Sequence, residues 1–588
     1  MYDLVVSLFV GVPVAFYCWL MKDSWFRKKW NRFPIFFLFF IITLILVINA
    51  GAEIAFWNEF NVRFNFIAVD YLVYTTEVLG NIWESYNIPL IAFAIITVTG
   101  ALLFSLRKPM LSSQSVSMRF AKRTVFFLLY MSVTLAAYLL TNNRLKNISD
   151  NNFVNELGGN GMFEFGAAFW NNEIDYNKFY LINEDRMNLS ILRNMLNAPG
   201  TTLTTDPLSI EREINSPDTS HMWNIILISV ESLSADYLTF FGNRENITPN
   251  IDSLIPHSLF FRNFYASGTR TVRGLEAISL AIPPTPGQSI VRRPNNEDMF
   301  TLGSVLLHNN YDVNYIYGGN SFFDNMGYFF GHNGYQVFDN SDIPESMIHH
   351  ATIWGVADED VYNVTIGKCD KSFKEGKPFF NHIMTVSNHR PYTYPKGRID
   401  IDPDIQSPQG AVKYSDYSIG KLIRDASQKP WFSKTLFVVV ADHCSKSAGK
   451  TDLPPNRYHI PCLVYNPYLV KPRIEEKLTS QIDLAPTILG LLNMDYTSRF
   501  MGYDINKVTA GMSRAFISTY QDMGYLKNDT LVILSPQKGV EMFKTNLETG
   551  INIKIKINEK LKNEAIAWYQ GANYLIKSGK YQSKAINN

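Results

Sequence analysis

Before residue 145 the chain passes four times through a run of about twenty apolar residues, and this pattern restricts the fold more than anything that follows it. Pro34–Ala52 and Ile88–Leu106 hold no charged side chain, and Leu4–Met21 and Thr124–Leu140 are slightly shorter runs of the same kind. A hydrocarbon slab about 30 Å thick is crossed by about 20 helical residues, and helix is one of only two ways to satisfy the backbone inside lipid. One such run fits a buried soluble helix. Four in succession predict a multi-pass α-helical membrane domain over residues 1–145. The first run is not read as a cleaved signal peptide, because Met1-Tyr2-Asp3 lacks a basic leader.

Loop charge sets the orientation. Lys22, Arg27, Lys28, Lys29 and Arg32 lie between the first two runs, and Arg107, Lys108, Arg119, Lys122 and Arg123 between the last two. The middle connection carries Glu53, Glu59, Asp70, Glu77 and Glu84 against Arg63. The basic loops are expected in the cytoplasm and the acidic one outside, with both termini and everything after the fourth run. Phe64–Tyr86 is apolar but interrupted by acids, which predicts an external amphipathic segment lying on the membrane (residues 64–86) rather than a fifth span.

The rest of the chain is different in kind. Mean hydropathy is only -0.06 although 46% of the 588 residues are hydrophobic, so a polar part must balance the apolar one. With 54 Lys+Arg against 53 Asp+Glu the net charge is +1, which offers no global field for nucleic acid. Residues 146–215 are Asn-rich and read as a membrane-proximal helical connector. From Asn224 onward, strand-like runs (NIILISVES, VNYIYGG, FFNHIMTVS, LFVVVADH, PCLVYNP) alternate with helix-length segments such as SQIDLAPTILGLLN. That alternation predicts an α/β domain over 216–505 with a mostly parallel central sheet covered on both faces. A C-terminal subdomain, 506–588, carries no assignable chemistry.

Ligands in such sheets bind beyond the carboxyl ends of the strands. Two strand-like runs here end alike: IILISVES finishes at Glu231, and LFVVVADH at Asp442 and His443. Carboxylates and an imidazole suit a divalent cation. Between them, GTRTVRGLEA sets Thr271 where a helix begins, with Arg270 and Arg273 beside it. Thr271 fits an N-cap. It also fits phosphate chemistry, because a helix N-terminus favours an anion and a nearby cation activates a hydroxyl.

Glu231, Thr271 in GTRTVRGLEA, Asp442-His443 and SNHRPY (Ser387–Tyr392) together resemble the lipoteichoic acid synthases, membrane-anchored phosphoglycerol transferases of the alkaline phosphatase and sulfatase superfamily, which also includes phosphoethanolamine transferases. The resemblance takes in the FNVRFNF loop after the second run and the SQIDLAPTILGLL helix, and ends near residue 505. It implies an alkaline phosphatase/sulfatase-like fold, with Glu231, Thr271, Asp442 and His443 as metal ligands and Thr271 as a nucleophile that is transiently phosphorylated. It further implies substrate binding at Arg270, Arg273, His389 and Ser447, acid–base work at His389 and His459, and one divalent metal, Mn2+ or Mg2+. In the region matching YIYGGNSFFDNMGYF, the synthases carry an acid, a tryptophan and an arginine that read glycerol phosphate, where this chain has Gly319, Asp324 and Met326. Asp324 and Asn325 are therefore expected to serve a different head group or acceptor. Sulfatases proper have Cys or Ser followed two positions later by Pro, and Thr271-Val272-Arg273 has neither.

The expectation is a transferase in a bacterial cytoplasmic membrane, with its catalytic domain extracytoplasmic. It would move phosphoglycerol from a phospholipid donor, phosphatidylglycerol, to a glycan, lipid or polymer acceptor. The rivals are a phosphoethanolamine transferase using Zn2+ and a non-catalytic lipid-binding relative. Cys369, Cys444 and Cys462 allow at most one external disulfide.

Overall fold

The computed structural model describes residues 1–583 except 23, 26–27, 66–67, 70, 72–74, 114–117, 147, 150, 171–173, 447–448 and 450–451. The chain divides into two compact units, Met1–Asn172 and Glu173–Asn588.

In the first unit, four helices are long and apolar enough to cross a membrane. They are α1 (Tyr2–Leu20), α2 (Arg32–Phe60), α4 (Ile88–Ser113) and α5 (Phe120–Leu140); α3 (Thr75–Ser85) lies within the segment expected to be amphipathic, the remainder of which falls partly outside the described residues. α2 continues well past Ala52. Its 29 residues extend roughly 44 Å at 1.5 Å per residue, farther than the lipid core requires. Hydropathy marks the lipid-spanning part of a helix, and Glu is a good helix former, so the helix carries Glu53 and Glu59 beyond it. Arg63 ties off the following loop, pairing with Glu53 and donating from its backbone N–H to Glu156 Oε2 (2.9 Å).

The second unit is built on an eight-stranded sheet. In chain order its strands are β1 (Asn224–Val230), β2 (Ser258–Phe261), β3 (Asp312–Tyr317), β4 (Gln336–Phe338), β5 (Phe379–Met384), β6 (Thr435–Ala441), β7 (Cys462–Tyr465) and β8 (Arg473–Glu475). The spatial order is β8-β2-β7-β6-β1-β5-β3-β4, and only β7 runs antiparallel to its neighbours. Every residue of β1, β5 and β6 is buried. Helices cover both faces of a parallel sheet, so a central strand needs apolar residues on both sides, and NIILISV and TLFVVVA supply them. Each fully buried Ile, Leu or Val side chain contributes about 1.5–3 kcal/mol.

The segment expected as a helical connector is divided between the units, and two of its stretches are strands. Thr201–Leu203 and Arg212–Ile214 pair with each other, and Arg212–Ile214 also pairs with Tyr496–Ser498. Three-residue strands are too short to show an alternation, and the last partner lies far along the chain. Residues 515–554 form a five-stranded antiparallel sheet, followed by the helix Glu559–Lys577. Arg514 joins this region to the SQID turn: its Nη1 lies 2.7 Å from Asp483 Oδ2, each side chain 1% exposed. Arg514→Leu leaves that carboxylate buried and unpaired. Denaturant unfolding is expected to show a loss of about 3–5 kcal/mol.

Candidate functional site

Three adjacent parallel strands, β6, β1 and β5, deliver the site. Ala441 and Val230 are register partners, so the next residues, Asp442 and Glu231, emerge side by side. The strand ends are cross-linked. Ser232 N–H donates to Asp442 Oδ1 (2.8 Å), Glu231 N–H donates to Thr385 Oγ1 beyond β5 (2.9 Å), and Asn388 Nδ2 donates to the Glu231 carbonyl (3.0 Å). Ser232 is held at φ 53°, a left-handed conformation that costs a non-glycine residue energy and here turns the chain sharply after Glu231.

Glu231, Asp442 and His443 place one ligand atom each within 4.8 Å of one another, all buried. His443 Nε2 lies 3.5 Å from both Glu231 Oε1 and Asp442 Oδ2. The His443 Nδ1 contact with the Cys444 carbonyl, 2.7 Å, can only be a donor's, because a carbonyl only accepts. That bond aims the Nε2 side of the ring at the two carboxylates, the arrangement found where a second partner orients a metal-ligating histidine. Asp442 Oδ2 is buried with no hydrogen-bond partner. An orphaned carboxylate oxygen, a second carboxylate and an oriented imidazole together fit a divalent cation. Thr271 completes the set, its Oγ1 donating to Glu231 Oε2 at 3.1 Å.

Thr271 opens the helix α7 (Thr271–Leu280). Gly274 lets that helix approach the end of β6: a Cβ at this position would lie 2.3 Å from the Asp442 carbonyl oxygen. Gly274→Ala must push Thr271 and Asp442 apart. Stability is expected to fall by about 1–3 kcal/mol, and titration with Mn2+ to show weakened binding.

Charge at the centre is shared unequally. Burial raises the Glu231 carboxyl, but His389 and His443 outweigh it and hold the group below the ordinary carboxylate range. Asp442 moves the other way, pushed up first by burial and then by the Glu231 charge. His389 Nε2 sits 3.4 Å from Glu231 Oε2. Burial lowers its basicity, yet the Glu231 carboxylate reverses that and leaves it raised, with Arg270 opposing. The Arg270 guanidinium makes no hydrogen bond or ion pair among the described residues, so it remains available to an anion.

Four of the residues expected at the site make their described contacts elsewhere. Arg273 is turned into the core, where it pairs with Glu276 (3.0 Å) and donates to the Thr285 and Gly287 carbonyls. On α7 it lies about half a turn from Thr271, facing Glu276 three residues along the same helix, and the Thr285 and Gly287 carbonyls complete its contacts. Asp324, 1% exposed, faces Arg292 Nε at 3.5 Å, and Asn325 Nδ2 donates to the Val291 carbonyl at 2.9 Å. Both contact the turn that packs on α7. His459 Nε2–H donates to the Arg262 carbonyl (2.7 Å), with its ring between Phe241 and Tyr265. Burial lowers its basicity, and none of its described contacts is with Glu231, Thr271, Asp442 or His443. Ser447 lies outside the described residues. All four cysteines are free thiols, and Cys444 Sγ donates to the His459 carbonyl.

Sequence reasoning missed three residues that build the site. Gln481, in the SQID turn, donates from Nε2 to the Ala441 and Asp442 carbonyls (2.9 and 2.7 Å) while its Oε1 accepts from Ser267 N–H (2.8 Å). It thereby links the metal-ligand turn to the segment leading into Thr271. Asp358 Oδ1 accepts from the Val386 and Ser387 N–H groups, 3.1 Å each, and so sets the loop that carries His389. Trp354 stacks on the His389 ring at 4.4 Å and 18°. An amide, an acid and a tryptophan in unrelated loops give no pattern to read.

The sulfatase family profile matches residues 223–494. A protein in the alkaline phosphatase superfamily from Vibrio parahaemolyticus has a crystal structure with a TM-score of 0.66 and 30% identity to this chain, covering 70% of this chain and 100% of that one. This chain belongs to the alkaline phosphatase superfamily. The lipoteichoic acid synthase from Listeria monocytogenes shares the superfamily fold, with a TM-score of 0.54 at 17% identity over 67% of this chain and 98% of that one. Phosphoglycerol transferase I of Escherichia coli O127:H6 is 26% identical over 239 residues, 37% of this chain and 30% of that protein; a relative of the same name from Shigella boydii serotype 18 matches to the same extent. The chain thus spans less than a third of the length of these curated relatives. The alkaline phosphatase superfamily typically uses a divalent metal, in keeping with the cluster described above.

Proposed function

We propose that the chain is a membrane-anchored, metal-dependent transferase that moves phosphoglycerol from phosphatidylglycerol to an extracytoplasmic glycan, lipid or polymer hydroxyl through a phospho-threonine intermediate. The observation that carries the reading is the hydroxyl of Thr271 standing at a helix N-terminus, hydrogen-bonded to Glu231 within the Glu231–Asp442–His443 cluster. Glu231, Asp442, His443 and Thr271 would hold the cation, which supplies Lewis acidity at the phosphoryl oxygens.

The residues suggest the proton path. Thr271 Oγ1 attacks phosphorus while its proton leaves along the hydrogen bond to Glu231 Oε2 and on to His389, 3.4 Å from that same oxygen. The bond from phosphorus to the diacylglycerol oxygen breaks, and His389 protonates the departing oxygen. In the second half His389 takes the proton of the acceptor hydroxyl as its oxygen attacks phosphorus, the bond from phosphorus to Thr271 Oγ1 breaks, and the proton returns through Glu231 to that oxygen. Arg270 and the N–H groups opening α7 offset charge on the transferring group. The Trp354 stack and the Asp358-held loop keep His389 in register with Glu231.

Anchoring to the bilayer concentrates an insoluble donor, and the basic loops between α1 and α2 and between α4 and α5 support a cytoplasmic location for those loops and an external one for the catalytic unit. The curated relatives named phosphoglycerol transferase favour glycerol over ethanolamine as the head group. The test is intact-mass and peptide mass spectrometry of Thr271 after incubation with either phosphatidylglycerol or phosphatidylethanolamine. A phosphoglycerol adduct from the first donor is expected. A phosphoethanolamine adduct, or no adduct on Thr271 with either lipid, overturns the reading.

A further inference from the structure

Away from the catalytic centre, a cavity of about 350 Å3 opens between the Arg212–Ile214/Tyr496–Ser498 strand pair and the end of the helix α10 (Leu484–Leu491). None of Glu231, Thr271, His389, Asp442 or His443 lines it. Leu196, Ile214 and Met494 give it apolar wall, and Tyr496 and Tyr503 add aromatic rings.

Arg212 is what makes this cavity unusual. Its side chain lines the cavity and the residue is 5% exposed, yet it has no carboxylate partner among the described residues. Its hydrogen bond is a long one, Nη1 to the nearby Ile210 carbonyl at 3.4 Å. The neighbouring acids are engaged elsewhere. Glu211 accepts from Arg499 Nη2 and Nε (2.7 and 2.9 Å), and Glu213 accepts from Thr497 Oγ1 (2.8 Å). Asp504 also lines the cavity, but its Oδ1 accepts from the N–H and Nδ2 of Asn506. The side chain of Lys507, a second cation on the wall, has no hydrogen bond or ion pair among the described residues and acts on the Asp504 carboxylate only through longer-range charge, while Asp218 stands exposed at the rim.

A buried guanidinium without a counter-charge is costly to fold. It is retained at little cost if an anion enters from solvent and meets its planar fork of donors. We propose that this cavity binds a small organic anion, a phosphate or carboxylate group on a short apolar stem, with Arg212 and Lys507 holding the oxyanion and Leu196, Ile214 and Met494 packing the stem. The site is separate from the transfer chemistry and stands or falls independently of it.

Calorimetric titration of the purified full-length chain with butyl phosphate and with hexanoate tests this, and the two probes distinguish the two kinds of oxyanion. Saturable binding of at least one is expected, tighter than that of inorganic phosphate or 1-butanol alone. Arg212→Gln should weaken it by at least about tenfold. Ala198→Phe, which fills the cavity and leaves Arg212 in place, should do the same, and it carries the test if the first variant does not fold. Glu231→Gln should leave it unchanged. No saturable binding of either probe, or binding that survives both cavity variants, overturns the proposal, as does binding lost only in Glu231→Gln.

Discussion

Thr271→Ala is expected to cut transfer by about four orders of magnitude or more, as removal of a covalent nucleophile does. The fold should survive. Thr271 is the first residue of α7, and the residue before it, Arg270, gives that helix no side-chain cap, so losing the hydroxyl removes no capping bond. What disappears is the single oxygen that hydrogen-bonds Glu231 Oε2. Thr271→Ser keeps that oxygen and should keep measurable turnover, together with the covalent adduct. The assay is release of diacylglycerol from phosphatidylglycerol by purified protein, with melting temperature as the control. Turnover in Thr271→Ala within tenfold of the parent would rule out a covalent route through this residue.

Chelation should have an effect that depends on pH. Without a cation, two buried carboxylates and His443 share one pocket, and Asp442 relieves the repulsion by holding a proton. A carboxyl raised above its unfolded value stabilises the fold at low pH, and that contribution is lost as pH rises through the folded value. His389 is also raised, by Glu231, so it acts in the same direction. Glu231 is lowered, and its contribution is lost only in acid, below pH 5. Between pH 5 and pH 8 these groups should cost the metal-free protein stability, each at most about 1.4 kcal/mol per pH unit. The buried His382 and His459, lowered in basicity, act the other way, while Asp416 and Asp522, raised by burial, act with the cluster. Scanning fluorimetry in EDTA should show a falling melting temperature across this window. Added Mn2+ should raise it more at pH 8 than at pH 5, since a bound cation takes the place of the protons. A melting temperature that is flat or rising with pH in EDTA would contradict this account of the cluster.

Several parts of this architecture are legible without coordinates. The four helices long and apolar enough to cross a membrane follow from uncharged runs, and the mostly parallel sheet follows from short apolar runs separated by helix-length segments. Glu231 and Asp442 are legible because each directly follows a strand buried on both faces, where a polar residue has to answer for its position, and His443 comes next to Asp442. Thr271 is legible because a hydroxyl and two arginines open a helix. Arg273, Asp324, Asn325 and His459 show where this kind of reading stops. A side chain's type is visible in the sequence, but its partner is not. Arg273 found the Thr285 and Gly287 carbonyls, and His459 found the Arg262 carbonyl.

The amino-acid sequence alone determined where the helices long and apolar enough to cross a membrane lie, which strands are buried on both faces and which residue types stand at their ends. These depend on hydrophobic runs, whose signal is local. The tertiary structure decided which polar groups meet: Ser232 with Asp442 across 210 positions, Gln481 with the Asp442 turn, and Trp354 with His389. Hydrogen bonds and ring stacks act over a few ångströms, so their partners are fixed only after strand register has brought distant segments together.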